Sequence, residues 1–367
     1  MTTPQLMLPT VISPTLLAPL YEAARKRSVF SQAMVASERC DLNDAHALQR
    51  THLTCPATEW KKVEAAVTKS SADLVMLDLE DSIVRGDDTA LERGRANIVR
   101  AFGTLDWGQK LRYFRPRGTD LDPGHEDLTR VLSCAIAQVQ GVVLPKIEHA
   151  DEVRSVDATL SALELLAGIP HGSIRLQILI ESVRAEQEIL AIATASKRLS
   201  GLIFGAFDYW SSLGAPADAY RPDHPMVDAV RGQIVKAAAR VGVPAIAEMT
   251  LNFPTKDKSE EARHEALAQA RRDAELARAF GMRGKWVGIP AQIDAVAPVF
   301  SLTDREVSQA LSYVRQFAEH EREGRGAAMI EGAMADRATD RLHRETLKRA
   351  LREAKISREI ADEITLS

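Results

Sequence analysis

The chain has 367 residues, 45% of them hydrophobic, and a formal charge of -4. That is enough for one large barrel with appendages or for two ordinary domains. The slight negative charge gives no electrostatic reason to expect nucleic acid as a partner. No apolar run approaches transmembrane length, so no membrane partner is expected. The first residues lack a basic segment and are broken by Pro4, Pro9, Pro14 and Pro19, so they do not read as a signal peptide. Cys40, Cys55 and Cys134 show no metal-ligand or redox spacing, and a reduced, cytoplasmic protein is expected.

In chain order, residues 1–48 read as an N-terminal extension with a short helix between Leu20 and Met34. A strand is expected at Thr51–Cys55, followed by a helix that Thr58 would cap. Further strands are expected at 74–79, 111–115, 142–145, 174–180, 202–204, 243–247 and 285–288. Helical patterns separate them: from Asp87 or Asp88 to about Phe102, at 125–139, from Ala150, at 225–241 with Pro225 in the first turn, and at 259–280. An eighth helix is expected at 304–319. Eight strand–helix pairs match a (β/α)8 TIM barrel over 49–321. An open doubly wound sheet competes, but no glycine-rich phosphate fingerprint follows the first strand. Residues 322–367 read as a C-terminal helical lid arm: a Gly-rich loop at 323–332, then a charged helix at 335–355 with Leu342, Leu347 and Leu351 as its apolar stripe.

The chemistry concentrates where the strands end. Leu74–Leu77 is ordinary strand core, but Asp78, Glu80 and Asp81 follow at once, and clustered carboxylates need a cation, a proton or donors to satisfy them. Glu181 and Asp208 end consecutive strands and would face one centre. Two carboxylates plus waters suit Mg²⁺, with Mn²⁺ as an alternative. The competing reading makes each acid a helix cap or an arginine partner. Arg115, held extended by Pro116, would grip a carboxylate or carbonyl oxygen. Arg117 would take a phosphate at the rim or face solvent. Glu80 and Asp81 would orient water or hold Arg115. Lys146 is a cation near the site, and the surrounding acids should keep its proton on, which favours metal over Schiff-base catalysis.

Taken together, Arg50 with Pro56, Leu77-Asp-Leu-Glu-Asp-Ser82, Phe114-Arg115, Leu144-Pro-Lys-Ile147, Leu179-Ile-Glu181, Phe204-Gly-Ala-Phe-Asp208 and Gly284-Lys-Trp286 with Pro290 and Gln292 carry a resemblance. Over roughly 50–350 the chain resembles the HpcH/HpaI aldolase / citrate lyase β-subunit family, closest in pattern to malyl-CoA and citramalyl-CoA lyases. The resemblance implies a Mg²⁺-dependent carbon–carbon lyase, or reverse synthase, acting on a 3-hydroxyacyl-CoA and giving an acyl-CoA and a 2-oxo acid. It implies Glu181 and Asp208 as metal ligands and Arg115 as the oxo-acid arginine. Arg50, Lys146, Arg117 and Pro290 become candidate contacts to coenzyme A. A homotrimer or homohexamer is expected, with the arm closing a neighbour's site. The lid's usual Asp-Gly pair reads Glu331-Gly332 here, so Glu331 and, second, Asp336 are candidate acid–base groups. A metal-dependent aldolase without coenzyme A, an acyl-CoA thioesterase and a non-catalytic acyl-CoA-binding subunit are the alternatives.

Overall fold

The computed structural model describes residues 48–118, 123–330 and 332–366. The extension at 1–47, with its expected helix and Cys40, and the lid residue Glu331 lie outside the described residues. Eight parallel strands close into a barrel in chain order. They are β1 Thr51–Pro56, β2 Leu74–Asp78, β3 Leu111–Arg115, β4 Gly141–Leu144, β5 Arg175–Ile180, β6 Leu199–Phe204, β7 Ala245–Ala247 and β8 Gly284–Val287. The ring closes where β1 pairs with β8, Leu53 opposite Val287. The expected TIM barrel is therefore the fold.

The strands are short, aliphatic and buried on both faces, as parallel strands under helices must be. Alternation along each strand splits them cleanly. Leu74, Met76, Tyr113, Val143, Leu179, Ile203, Ile246 and Trp286 fill the interior. Their neighbours Val75, Leu77, Phe114, Val142, Ile178 and Leu202 pack outward against helices.

Those helices are α1 Trp60–Lys69, α2 Asp88–Thr104, α3 Pro123–Ala135, α4 Ala150–Ala167, α5 Val183–Gln187, α6 Ile189–Thr194, α7 Ala206–Ser212, α8 Pro225–Val241, α9 Glu260–Ala279 and α10 Ile293–Phe300. Local chemistry sets several ends. Asp87 accepts the Ala90 N–H and Ser259 the Ala262 N–H. The cap expected of Thr58 is not formed: α1 starts after Glu59, whose side chain makes no cap bond.

The eighth barrel helix is α10, not the helix expected at 304–319. The latter exists as α11, Asp304–Arg322, but its buried face joins the C-terminal arm. Leu302, Val307, Ala310 and Val314 pack with Leu347 and Ala350 of α12, Arg337–Arg352, and with Ile356 and Ile364, which flank α13, Arg358–Glu363. The Gly-rich stretch expected as a loop contains a hairpin, β9 Ala328–Ile330 and β10 Ala333–Ala335. On α12, Leu347 is buried and Leu351 half-buried, but Leu342 is exposed and leaves the expected stripe.

At the N-terminal face of the barrel Arg198 is fully buried. Its guanidinium grips both oxygens of buried Glu164 at 2.6 and 2.7 Å and also reaches Asp157. Breaking a buried pair leaves an uncompensated charge. Arg198→Ala should cost about 3–5 kcal/mol of stability, read by urea denaturation, while divalent-cation affinity at the opposite face stays unchanged.

Candidate active site

The strand ends on the C-terminal face bring the acids together. Arg115, the last residue of β3, is only 2% exposed. Its Nε donates to Asp78 Oδ1 at 2.6 Å. Asp78 ends β2 directly opposite Arg115 in the strand register. It also accepts the Glu80 and Ser82 N–H groups at 3.0 and 3.1 Å, so one carboxylate shapes the β2 turn and orients the arginine. Arg115 Nη1 lies 3.2 Å from Glu80 Oε2 and 3.1 Å from Asp81 Oδ2. Nonetheless, Arg115 Nη1 and Glu80 Oε2 are buried without a well-aligned hydrogen bond among the described residues. A buried donor of that kind is suited to a ligand oxygen. The Trp286 ring centroid lies 5.3 Å from the guanidinium carbon, flanking it from β8.

Glu181 follows β5 and is buried. A Cβ on Gly205, after β6, would fall 2.4 Å from Glu181 Cβ and 2.8 Å from its Oε2, so only glycine lets the two strand ends meet here. Asp208 lies in the first turn of α7 and reaches the same place from β6. Lys146 joins them. Its main-chain N–H donates to Glu181 Oε1 at 2.6 Å. Its ammonium donates to Asp208 Oδ1 at 2.6 Å and lies 3.7 Å from Glu181 Oε2. Lys146 has φ of 54°, the left-handed region. Such a conformation costs a side-chain-bearing residue about 1–3 kcal/mol and is retained where surroundings over-determine it.

Charge sets the protonation pattern. Burial would raise the Asp78 carboxyl, but the Arg115 charge and hydrogen bond outweigh it and hold Asp78 below the ordinary range. Burial would lower Arg115, and Asp78 with Glu80 more than reverses that. Burial pushes Glu80 up to about 8; Arg115 opposes the shift, and Asp81 and Glu181 add to it. Glu181 is also raised, by burial first, with Lys146 offsetting only part. For Lys146, burial is outweighed by Glu181 and Asp208, which hold its proton on.

The residues fit a divalent cation. Asp208 and Glu181 converge on a single ammonium, so their oxygens address a common point. No group of three or more His, Cys, Asp and Glu ligands forms among the described residues. Two carboxylates with water and substrate completing the shell is a Mg²⁺ donor set, whereas structural zinc uses four protein ligands.

The remaining sequence candidates fare differently. Arg50 precedes β1 and therefore stands at the N-terminal face; it pairs with Asp73 at 2.8 Å and donates to Ser301. This corrects its expected coenzyme A contact, because the strand direction puts it at the far end from Glu181. Arg117, beyond β3, is bound by Asp127 and Glu126 in a network with Arg95. Pro290 is exposed in the turn after β8. Asp336 is the N-cap of α12, accepting the Ala338 and Thr339 N–H groups, so its carboxylate has a structural task. Asp81 is largely exposed. Asp78 is the contributor that sequence reasoning left without a role; its signal was its place as the last residue of a strand beside the one ending in Arg115.

A model described as HpcH/HpaI aldolase/citrate lyase matches residues 53–287. The chain belongs to that family. It is 30% identical over 284 residues to an L-malyl-CoA/beta-methylmalyl-CoA lyase of Cereibacter sphaeroides, covering 74% of this chain and 85% of the relative. It is 28% identical over 301 residues to a (3S)-malyl-CoA thioesterase of Cereibacter sphaeroides, covering 82% and 94%. A solved structure of CitE from Mycobacterium tuberculosis, in complex with magnesium, acetoacetate and coenzyme A, shares the fold. Its TM-score is 0.61 at 24% identity, and the match covers 83% of this chain and 98% of that one. No helix among the described residues is long and apolar enough to cross a membrane.

Because burial raises Glu80 and Glu181, binding of a cation between Glu181 and Asp208 should expel protons. Both carboxyls are neutral below their raised values and charged above them. Divalent-cation affinity should therefore rise with pH up to about 8 and then level off. Titration calorimetry in two buffers of different ionisation enthalpy would read the released protons, and Glu80→Gln should flatten the rise.

Proposed function

We propose that this protein is a Mg²⁺-dependent carbon–carbon lyase, or its reverse synthase. It acts on a 3-hydroxyacyl-CoA such as malyl-CoA or citramalyl-CoA and gives an acyl-CoA and a 2-oxo acid. The observation that carries the reading is the convergence of Glu181 and Asp208 beside buried Arg115, whose Nη1 makes no hydrogen bond among the described residues. The names of the relatives favour a coenzyme A thioester over a free aldol.

Glu181 and Asp208 would hold the cation. When bound, it would supply Lewis-acid polarisation of the oxo acid's carbonyl. Arg115 holds the oxo-acid end and offsets negative charge on its oxygen in either direction. Asp78 keeps the guanidinium aimed. In cleavage the hydroxyl proton passes to a base and the carbonyl forms. The electrons of the broken bond move onto the acyl-CoA α-carbon, which then takes up a proton. Glu80, buried beside Arg115 with a carboxyl pushed up to about 8, suits that proton exchange near neutral pH. Lys146 holds Glu181 and Asp208 toward a common point.

We also propose a homotrimer or homohexamer, supported by the exposed apolar Met329, Met334 and Leu342 of the arm, a surface for a neighbouring copy. The free thiols of Cys55 and Cys134 suit the reducing cytoplasm.

A thioesterase step is the second reading, favoured by the 28% identical malyl-CoA thioesterase. A mass-spectrometric screen of acetyl- and propionyl-CoA with glyoxylate, pyruvate and oxaloacetate, with and without Mg²⁺, separates the two. A new thioester marks lyase or synthase chemistry; free coenzyme A with a free hydroxy acid marks hydrolysis. Asp208→Ala should abolish Mg²⁺-dependent turnover, and Arg115→Lys should lower kcat about 10²–10³-fold, with circular dichroism unchanged. Full activity of Asp208→Ala after metal removal would contradict this mechanism.

A further inference from the structure

The ends of β7 and β8 carry none of the acids discussed above. They are tied together by buried polar groups. Gln292 accepts the Gly288 N–H and donates to the Thr250 carbonyl, both at 3.0 Å. The Lys285 ammonium donates to the Glu248 carbonyl. Arg231 of α8 pairs with the Glu248 carboxylate, and Thr250 donates to Asp273 of α9. Lys285 shares the strand face of Val287, which packs outward. These charges therefore answer one another on the helix side of the wall.

What they hold in front is apolar. A Cβ on Gly288 would fall 2.6 Å from Met249 Sδ and 2.5 Å from the Phe253 ring, so those two side chains close over the glycine. Met249 packs on the inner cluster that contains Trp286. Trp286 in turn flanks the Arg115 guanidinium at 5.3 Å. From Arg115 a chain of packed side chains thus runs through Trp286 to Met249 and Phe253.

We propose that Met249, with Trp286 and Phe253, selects the substituent on the oxo acid, and that the preferred class is a monocarboxylic 2-oxo acid carrying a short alkyl group. This rests on the lyase reading above. A dicarboxylic 2-oxo acid would press its second carboxylate against the apolar side chains of Met249, Trp286 and Phe253. An oxo acid with only hydrogen there leaves the wall unfilled, and one or two carbons in an apolar pocket are worth about 10–200-fold. In the condensing direction the acyl-CoA loses its α-proton. Its α-carbon then bonds to the carbonyl carbon bearing the alkyl group, and that oxygen takes up a proton. The product is a tertiary 3-hydroxyacyl-CoA.

Protein labelled with ¹³C-methyl methionine tests the contact apart from turnover. The Met249 signal, assigned with Met249→Leu, should shift when pyruvate or 2-oxobutyrate is added with Mg²⁺. In the condensation assay kcat/KM for pyruvate should exceed that for oxaloacetate and for glyoxylate by at least about 10-fold. Met249→Ala should move the preference toward 2-oxobutyrate by about 10-fold. An unmoved Met249 signal while calorimetry records oxo-acid binding would overturn the proposal, as would a preference for oxaloacetate or glyoxylate. If no oxo acid binds or condenses at all, the lyase reading falls first and the proposal with it, a failure distinct from wrong selectivity.

Discussion

Arg115 is permanently charged and almost wholly removed from solvent, so the mouth of the barrel has to answer it. Asp78 does so from the adjacent strand end, and the β2 turn wraps that carboxylate with two further N–H groups. A guanidinium with a rigid planar fork gains direction from such a partner. The other acids gather round it: Glu80 and Asp81 lie within 3.2 Å of its Nη1, and Glu181 and Asp208 share Lys146. The close contact of β5 and β6 ends depends on Gly205, where even a methyl group would collide with Glu181. A negatively weighted cup with two cations, Arg115 and Lys146, is the outcome. It suits a metal ion and a small anionic oxo acid together.

Much of this was legible before any coordinates. The apolar runs are bounded by polar or Gly/Pro residues, and their number and spacing leave few topologies. The acids at 181 and 208 and the arginine at 115 each follow such a run, which fixes the face they occupy. By the same rule Arg50, which comes before its strand, belongs to the opposite face. Helix α10 escaped notice because Ile293–Phe300 is short, strongly apolar and contains Pro298. The longer amphipathic pattern at Asp304–Arg322 took its place. The hairpin at 328–335 is built largely of Ala and Met, which carry little strand preference. The left-handed backbone of Lys146 had no sequence signal at all, since the residue is not glycine.

The two faces of the barrel divide the work. At the N-terminal face, Arg198 with Glu164 and Arg50 with Asp73 are ion pairs closed on themselves. At the C-terminal face, the charges around Arg115 are incompletely answered by one another. That contrast, more than the number of charged groups, separates a stabilising network from a site. The arm adds a third element. Its helices bury their own core against α11 and leave Met329 and Met334 facing outward across the hairpin.

The shared point between Glu181 and Asp208 is the premise beneath all of the chemistry. Anomalous diffraction at the manganese edge, from crystals grown with Mn²⁺, tests it most directly. One peak within coordination distance of an oxygen from each carboxylate is the predicted result. A peak elsewhere, or ordered Glu181 and Asp208 side chains with no peak between them at saturating Mn²⁺, would contradict it.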